Sequence, residues 1–358
     1  MPLFSLKAFS LWLAALACLL AAPARAGITY HMVTVGNAGN GNDTGGGLIG
    51  AVAYDYQIGT YDVTIGQYTA FLNAVAATDT YSLYNSSMGT IFSIAGISQS
   101  GGSGNYTYSV LGSANRPITF VSWWDSARFS NWMANGQPTG AQTSATTENG
   151  AYNVNGAISG NVVAKNATNP NTGVAPTFYI PTENEWYKAA YYSPTLNGAA
   201  GGYYAYATQS NTAPGNVVGS AANQANYSAG DIYSVTQSGS YSGSQSYLTD
   251  VGAFSGSGSF YGTFDQSGNV WQWNDLDGAA GSFRGLRGGY WDNSPAFVLS
   301  SSFSAPDDPS IVSIGVGFRL ASPVSVSGVP EFDPNGLSAV LGLIVGGLGL
   351  LERRRYGR

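Results

Sequence analysis

Residue types that usually do chemistry are scarce in this 358-residue chain, which has one cysteine, Cys18, and one histidine, His31. A single imidazole, placed at the start of the body, can build neither a Ser-His nucleophile nor a multi-histidine metal centre. His31 itself stands near the start of the polar body, where it reads as an exposed or lightly packed residue. Carboxylates are more plentiful towards the C-terminus, and Asp275, Asp277, Asp307 and Asp308 could supply an acid and a base of the kind glycosidases use. Their spacing defines no facing pair, so solvated loop charges are the simpler expectation. Gly281 to Gly289 mixes glycines and arginines without phosphate-loop spacing, and nucleotide binding is not indicated.

Cys18 falls inside an export signal. Lys7 supplies a small positive n-region, Phe9 to Ala22 is an almost unbroken apolar run, and Ala24-Arg25-Ala26 offers a small-x-small cleavage pattern before Gly27. The run is about 14 residues where a membrane span needs roughly 20, so removal of residues 1–26 is expected rather than retention as an anchor. The mature chain would then hold no thiol at all. At the other end, Val329-Pro330-Glu331-Phe332-Asp333-Pro334 precedes an apolar stretch, Leu337 to Leu351, and the cluster Glu352-Arg353-Arg354-Arg355. At roughly 1.5 Å per residue that stretch covers about 22 Å of a hydrocarbon core near 30 Å thick. It resembles the PEP-CTERM sorting tail of Gram-negative bacteria, with Phe332 where a second proline is usual. The resemblance implies a tail at residues 329–358 that a membrane sortase removes during export, leaving the body outside the cell, with the arginines cytoplasmic until then. A simple retained C-terminal anchor is the alternative.

Acidic residues outnumber basic ones 19 to 13. Six of the cations (Lys7, Arg25, Arg353, Arg354, Arg355 and Arg358) lie in the two tails, so the body is more acidic still. Such a surface repels phosphate backbones, and nucleic acid is excluded as a partner. Gly, Ser, Asn, Thr and Tyr carry the polarity in place of Lys and Glu, a composition suited to an extracellular, loop-rich protein.

The elements that must position any site are few. Residues 27–52, with the run Gly36 to Gly47, read as a flexible leader without apolar periodicity. Thr64 can cap a helix whose Ile65, Tyr68, Phe71, Leu72 and Val75 share one face. Ser122, three residues before Asp125, opens a second helix through Met133. Thr182 and Glu185 form a capping box for a third, with Trp186, Ala189 and Ala190 following. Gly50 to Tyr61, Asn269 to Trp273 and Gly315 to Leu320 read as short strands. The pattern is α+β, neither a bundle nor a βαβ array.

Five segments in order resemble the formylglycine-generating enzyme, or sulfatase-modifying factor, family. Tyr61-Asp62-Val63-Thr64-Ile65-Gly66-Gln67-Tyr68 is similar to its opening strand and helix, and Pro117 to Ala127 to its PVxxVSWxDA segment. Ile180-Pro181-Thr182-Glu183-Asn184-Glu185-Trp186 is similar to LPTEAEW, and Gly268-Asn269-Val270-Trp271-Gln272-Trp273 to GNVWEW. Arg287-Gly288-Gly289 with Gly317-Phe318-Arg319 matches the closing pair. The resemblance implies a C-type-lectin-like fold over residues 53–322, with few short helices, small sheets, much irregular structure and a surface insertion at 137–176, joined by residues 323–328 to the tail.

It also implies where a site would lie. The family's oxidases hold copper through two cysteines after the RGG turn, and those positions fall on Asn293 and Val298. Neither side chain binds Cu(I) as a thiolate does, so no copper and no formylglycine formation are expected. Tyr290 and Trp291 would line a remodelled ligand pocket beside Asn293, or simply pack. Calcium is the candidate cofactor: the resemblance places ligands at Asp265, the carbonyls of Gly268 and Val270, and Gln272, where an amide replaces the family's glutamate. A second set would use Asn226 and the carbonyl of Tyr227. Two functions follow as expectations. One is a non-catalytic surface or matrix protein that binds a glycan, an exopolysaccharide or another surface protein. The other is a divergent enzyme, either a cysteine-free thiol oxidase or a carboxylate-based hydrolase.

Overall fold

Among the described residues, three of the four α-helices start at the capping boxes that the sequence marks. The computed structural model describes residues 27–45, 47–198, 200–293 and 295–324. The export signal and the sorting tail lie outside the described residues. The elements are α1 (Ile65–Val75), α2 (Ser87–Thr90), α3 (Trp123–Ala134) and α4 (Glu183–Tyr191), with ten short strands, and the residues through Pro323 form one unit. Thr64 Oγ1 accepts from Gln67 N while Gln67 Oε1 accepts from Thr64 N, and Ser122/Asp125 and Thr182/Glu185 repeat the pattern. A cap is worth about 1 kcal/mol, whereas burying one Phe or Leu side chain gives about 1.5–3 kcal/mol. Packing therefore holds these helices, and the caps fix where they begin.

That packing is aromatic. Phe71 of α1 meets Phe129 and Trp132 of α3 at 5.2 Å, and Phe129 meets Phe318 at 5.4 Å. Every residue of α3 is buried, its polar ones included. The cover comes from residues 137–176. Glu148 takes a bidentate pair of hydrogen bonds from Arg128 at 2.8 Å, Asn131 Nδ2 donates to Thr147 O and Tyr152 O, and Tyr152, Val154 and Val162 enter the main core. The expected surface insertion is thus a wall of the core. Its buried residues are too widely spaced, and tied by too many side-chain amides, to show any periodicity.

Two three-stranded sheets share the C-terminal segment. β1 (Met32–Val35), β2 (Tyr56–Gly59) and β10 (Ala321–Pro323) run in the order β1-β2-β10, all antiparallel, with Met32 opposite Gly59 and Ala321 opposite Ile58. β7 (Trp271–Asn274) lies between antiparallel β8 (Gly285–Arg287) and parallel β9 (Val316–Phe318). β9 and β10 are separated only by Arg319 and Leu320, which places Arg319 where the sheets meet. Two small antiparallel pairs, β3 (Ile97–Ser100) with β4 (Thr107–Val110) and β5 (Tyr192–Ser193) with β6 (Gly202–Tyr203), complete the strands.

The expected leader is built into this body. β1 pairs with β2, Asn40 Nδ2 donates to Gly50 O at 2.8 Å and to Tyr203 OH at 2.6 Å, and Tyr187 OH donates to Asp43 Oδ2 at 2.7 Å. Gly50 has φ +97°, and a Cβ there would lie within 2.9 Å of both Tyr203 and Tyr187, so only glycine lets the segment approach. Carboxamide and phenol contacts, which leave no hydropathy signature, do the work that apolar periodicity does elsewhere. Among the described residues no helix is long and apolar enough to cross a membrane.

Candidate functional site

Arg319, fully buried at the junction of the sheets, organises the residues expected to hold calcium. Its Nη2 donates to Asp62 Oδ1 at 2.9 Å and to Phe264 O at 2.7 Å, its Nη1 to Gly59 O at 2.9 Å, and its Nε to Gln272 Oε1 at 2.7 Å. Gln272 Oε1 also accepts from Trp186 Nε1 at 2.7 Å, and Gln272 Nε2 donates to Asp265 O at 2.7 Å. A guanidinium and an indole only donate, which fixes the amide with its oxygen towards them and its NH2 towards the Asp265 loop. A glutamate would present a second oxygen to that loop. Here a hydrogen-bond donor stands in its place.

The donor set therefore does not fit a calcium ion. Gly268 O accepts from Val270 N at 3.0 Å, and Asp265 Oδ2 accepts from Gly252 N at 2.7 Å. Burial pushes the Asp265 carboxyl up to about 6, opposed by the Gly252 N–H and Arg319. The second expected set fares alike: Tyr227 O takes donors from Asn216 Nδ2 (3.3 Å) and Ser234 Oγ (3.1 Å), while Asn226 Nδ2 donates to Tyr247 O and Asn269 Oδ1. No group of three or more His, Cys, Asp or Glu side chains among the described residues could hold a metal ion. Gln272 thus turns a donor towards the Asp265 loop, and Gly268 O, Tyr227 O and Asp265 Oδ2 each already accept a protein hydrogen bond.

After the RGG turn the chain folds tightly back. Gly289 has φ +73°, and a Cβ there would meet Leu299 Cδ1 at 2.9 Å and Asn293 Oδ1 at 3.1 Å. Asn293 Oδ1 accepts from Tyr290 N at 2.8 Å and Asn293 O from Ser228 N at 3.0 Å. Val298 lies in the 3-10 turn Ala296–Leu299 and packs with the cluster of Tyr206, Ala225, Tyr227 and Leu299. One position is spent on a turn and the other on packing.

Trp291 is buried, stacked on Tyr247 at 5.0 Å and 14°, and Tyr247 is stacked on Tyr241 at 5.4 Å and 12°. Tyr233 leans on both inner rings and donates its hydroxyl to Asp292, while Tyr290 meets Trp291 edge-on. The column ends in solvent, with Tyr241 54% exposed. Burial and the Asp292 carboxylate push the Tyr233 phenol up to about 12. Trp291 Nε1, Ser93 Oγ and Ser246 Oγ are buried without a hydrogen-bond partner, and Tyr247 N donates to Ser93 O. Tyr290 bonds to Asn293 through its N–H and meets Trp291 edge-on, and Trp291 is an inner member of the stack.

The carboxylates weighed for catalysis are spent locally. Asp275 pairs with Arg284 at 2.6 Å and accepts from Tyr152 OH, Asp277 caps Ala279 N, and Asp307 accepts from Asp308 N. Asp308 takes two bonds from Ser310, which hold its carboxyl below the usual range.

Small sheets, short capped helices and long irregular connections around one aromatic core define a formylglycine-generating-enzyme-like fold. The family model of the sulfatase-modifying factor enzyme 1-like domain matches residues 32–324, and the chain belongs to that family. The match takes in β1 and the segment expected to be a leader. No curated protein matches. Solved structures similar to the chain include CarF (21% identity, TM-score 0.45, covering 83% of this chain and 99% of that one). Variable protein 1 of Treponema denticola (19%, 0.45, 83% and 96%) and PvdO of Pseudomonas aeruginosa (16%, 0.40, 83% and 93%) are also similar.

Sequence reasoning missed Tyr233, Tyr241 and Tyr247. The available signal was their isolation as large rings in a stretch of Ser and Gly that is otherwise unable to form a core.

Proposed function

We propose that the chain is an exported surface or matrix protein whose domain binds a glycan or a surface protein without catalysis. The observation that carries this reading is the column Tyr241–Tyr247–Trp291, beside the turn where Asn293 and Val298 stand at the family's cysteine positions. An aromatic face with hydroxyl and carboxylate groups at its edge suits a sugar, whose apolar C–H face stacks while its hydroxyls hydrogen-bond. Tyr233 and Asp292 provide that edge. The removable signal before Gly27 and the PEP-CTERM-like tail support delivery to the outer surface.

The test is a screen of glycans and exopolysaccharides against the purified protein, with calcium and with a chelator. Binding independent of calcium and weakened about tenfold by Tyr241→Ala is expected, the loss of one stacked ring being worth about 1.4 kcal/mol. Conversion of a cysteine-containing peptide to its aldehyde, above a protein-free copper control, would overturn the non-catalytic reading. Intact mass of native surface material should begin at Gly27 and lack Arg358.

A further inference from the structure

We propose that the cleft between the Ile28–His31 segment, the start of α1 and the Asp250–Val251 turn is a second binding site, for an amino sugar. The proposal rests on the glycan reading and places a ligand where neither the family comparison nor the aromatic column does. The cleft holds about 640 Å³, inside the range of roughly 300–1,000 Å³ typical of small-molecule sites.

His31, Asn115 and Asp250 line this cleft, are exposed, and make no side-chain hydrogen bond or ion pair among the described residues. Asn115 and Asp250 engage the fold only through their backbones, by Val251 N to Asn115 O and Ala253 N to Asp250 O. Between them, three free side chains offer a carboxylate, an amide with donor and acceptor, and an imidazole with both. Tyr61, half-buried and stacked on Phe264 at 5.6 Å, supplies a fixed aromatic wall.

The charge selects among sugars. Asp250 and the buried Asp62 line the cleft, and no lysine or arginine does. Asp62 Oδ1 is held by Arg319, while its Oδ2 has no hydrogen-bond partner. An ammonium meets its counter-charge at Asp250, and vicinal hydroxyls suit Asn115 and His31. A simple amine would leave that amide and imidazole idle, and a neutral sugar would leave the carboxylate without a cation.

His31 makes the test direct, because it is the only histidine in the chain and gives one imidazole signal in an untagged protein. Titration with glucosamine, followed by NMR of that signal, is expected to give a saturable shift. N-acetylglucosamine and n-butylamine should each bind about tenfold more weakly, and Asp250→Asn should weaken glucosamine about tenfold with an unchanged melting temperature, the loss expected for one charge-assisted contact. Asn115→Ala should weaken it as well. An unmoved His31 signal, equal binding of any of the three probes, or unaltered binding in Asp250→Asn would overturn the proposal. Failure here is separable from failure of the broader reading: polymer binding lost in Tyr241→Ala with a silent His31 removes this site alone, whereas saturable glucosamine binding with a blank polymer screen removes the column alone.

Discussion

Around Arg319 nearly every polar atom finds a partner, with Asp62 Oδ2 left over, whereas around Tyr247 three buried polar atoms, of Ser93, Ser246 and Trp291, have none. The first region ties together residues from opposite ends of the chain: Gly59, Asp62, Phe264, Gln272 and Arg319. The second is assembled from rings in a Ser- and Gly-rich stretch and the turn after Gly289. The difference separates what the fold requires from what a lineage can change. A buried guanidinium with four partners tolerates no substitution cheaply, while stacked rings on an irregular loop can change without disturbing the sheets.

Breaking the first region should produce the largest effect. Arg319→Met leaves Asp62 buried without its donor and Gln272 with Trp186 alone, and a loss of about 3–5 kcal/mol is expected in urea unfolding. A loss under about 1 kcal/mol would mean that the hub is decoration on a core held by aromatics alone.

Gln272→Glu sharpens the comparison by restoring an oxygen towards Asp265. Calcium should leave the melting temperature of the natural chain unchanged but raise that of the variant, by the equivalent of about 2.7 kcal/mol at a hundredfold excess over the dissociation constant. A calcium shift in the natural chain would show that the Gln272 amide does not exclude the ion.

Acidity probes the same hub. Burial, opposed by Arg319, pushes Asp62 up to about 8, and burial opposed by Arg284 pushes Asp275 up to about 7. The unfolded chain releases these protons near pH 4, the folded chain later. Raising the pH through that window therefore favours unfolding, and stability should fall between pH 5 and pH 8. Denaturant midpoints at the two values check it; a rise instead would show that the arginines outweigh burial.

The smallest structural effect belongs to the second region. Tyr241→Ala removes an exposed ring and should change stability by less than about 0.5 kcal/mol while reducing glycan binding. A large loss of stability would make the column a core element rather than a platform.

Much of the fold was legible because its signals are local. Thr64/Gln67, Ser122/Asp125 and Thr182/Glu185 place helix starts within the sequence itself, and the GNVWQW and GFR segments mark β7 and β9. What stayed hidden was set by distant side-chain amides: Asn40 on Gly50 and Tyr203, Asn131 on Thr147 and Tyr152, Gln272 on Asp265. An amide that donates and one that accepts look identical in a sequence, so the residue expected to ligate calcium could be named while its orientation could not. The cleft lined by His31, an exposed residue as its sequence position suggested, was hidden for a similar reason. The neighbours of His31 in space, Asn115 and Asp250, are far along the chain.

The pairing of β10 has a mechanical consequence. Ala321 is bonded on one side to the sheet through Ile58 and on the other to Tyr179, with Ala321 N to Tyr179 O at 2.7 Å and Tyr179 N to Ala321 O at 2.9 Å. A pull on the C-terminus would load this short strand along its length, in shear, so that bonds on both edges resist together instead of opening one after another. Rupture force measured by pulling from that end should therefore exceed that for pulling across the β5–β6 pair.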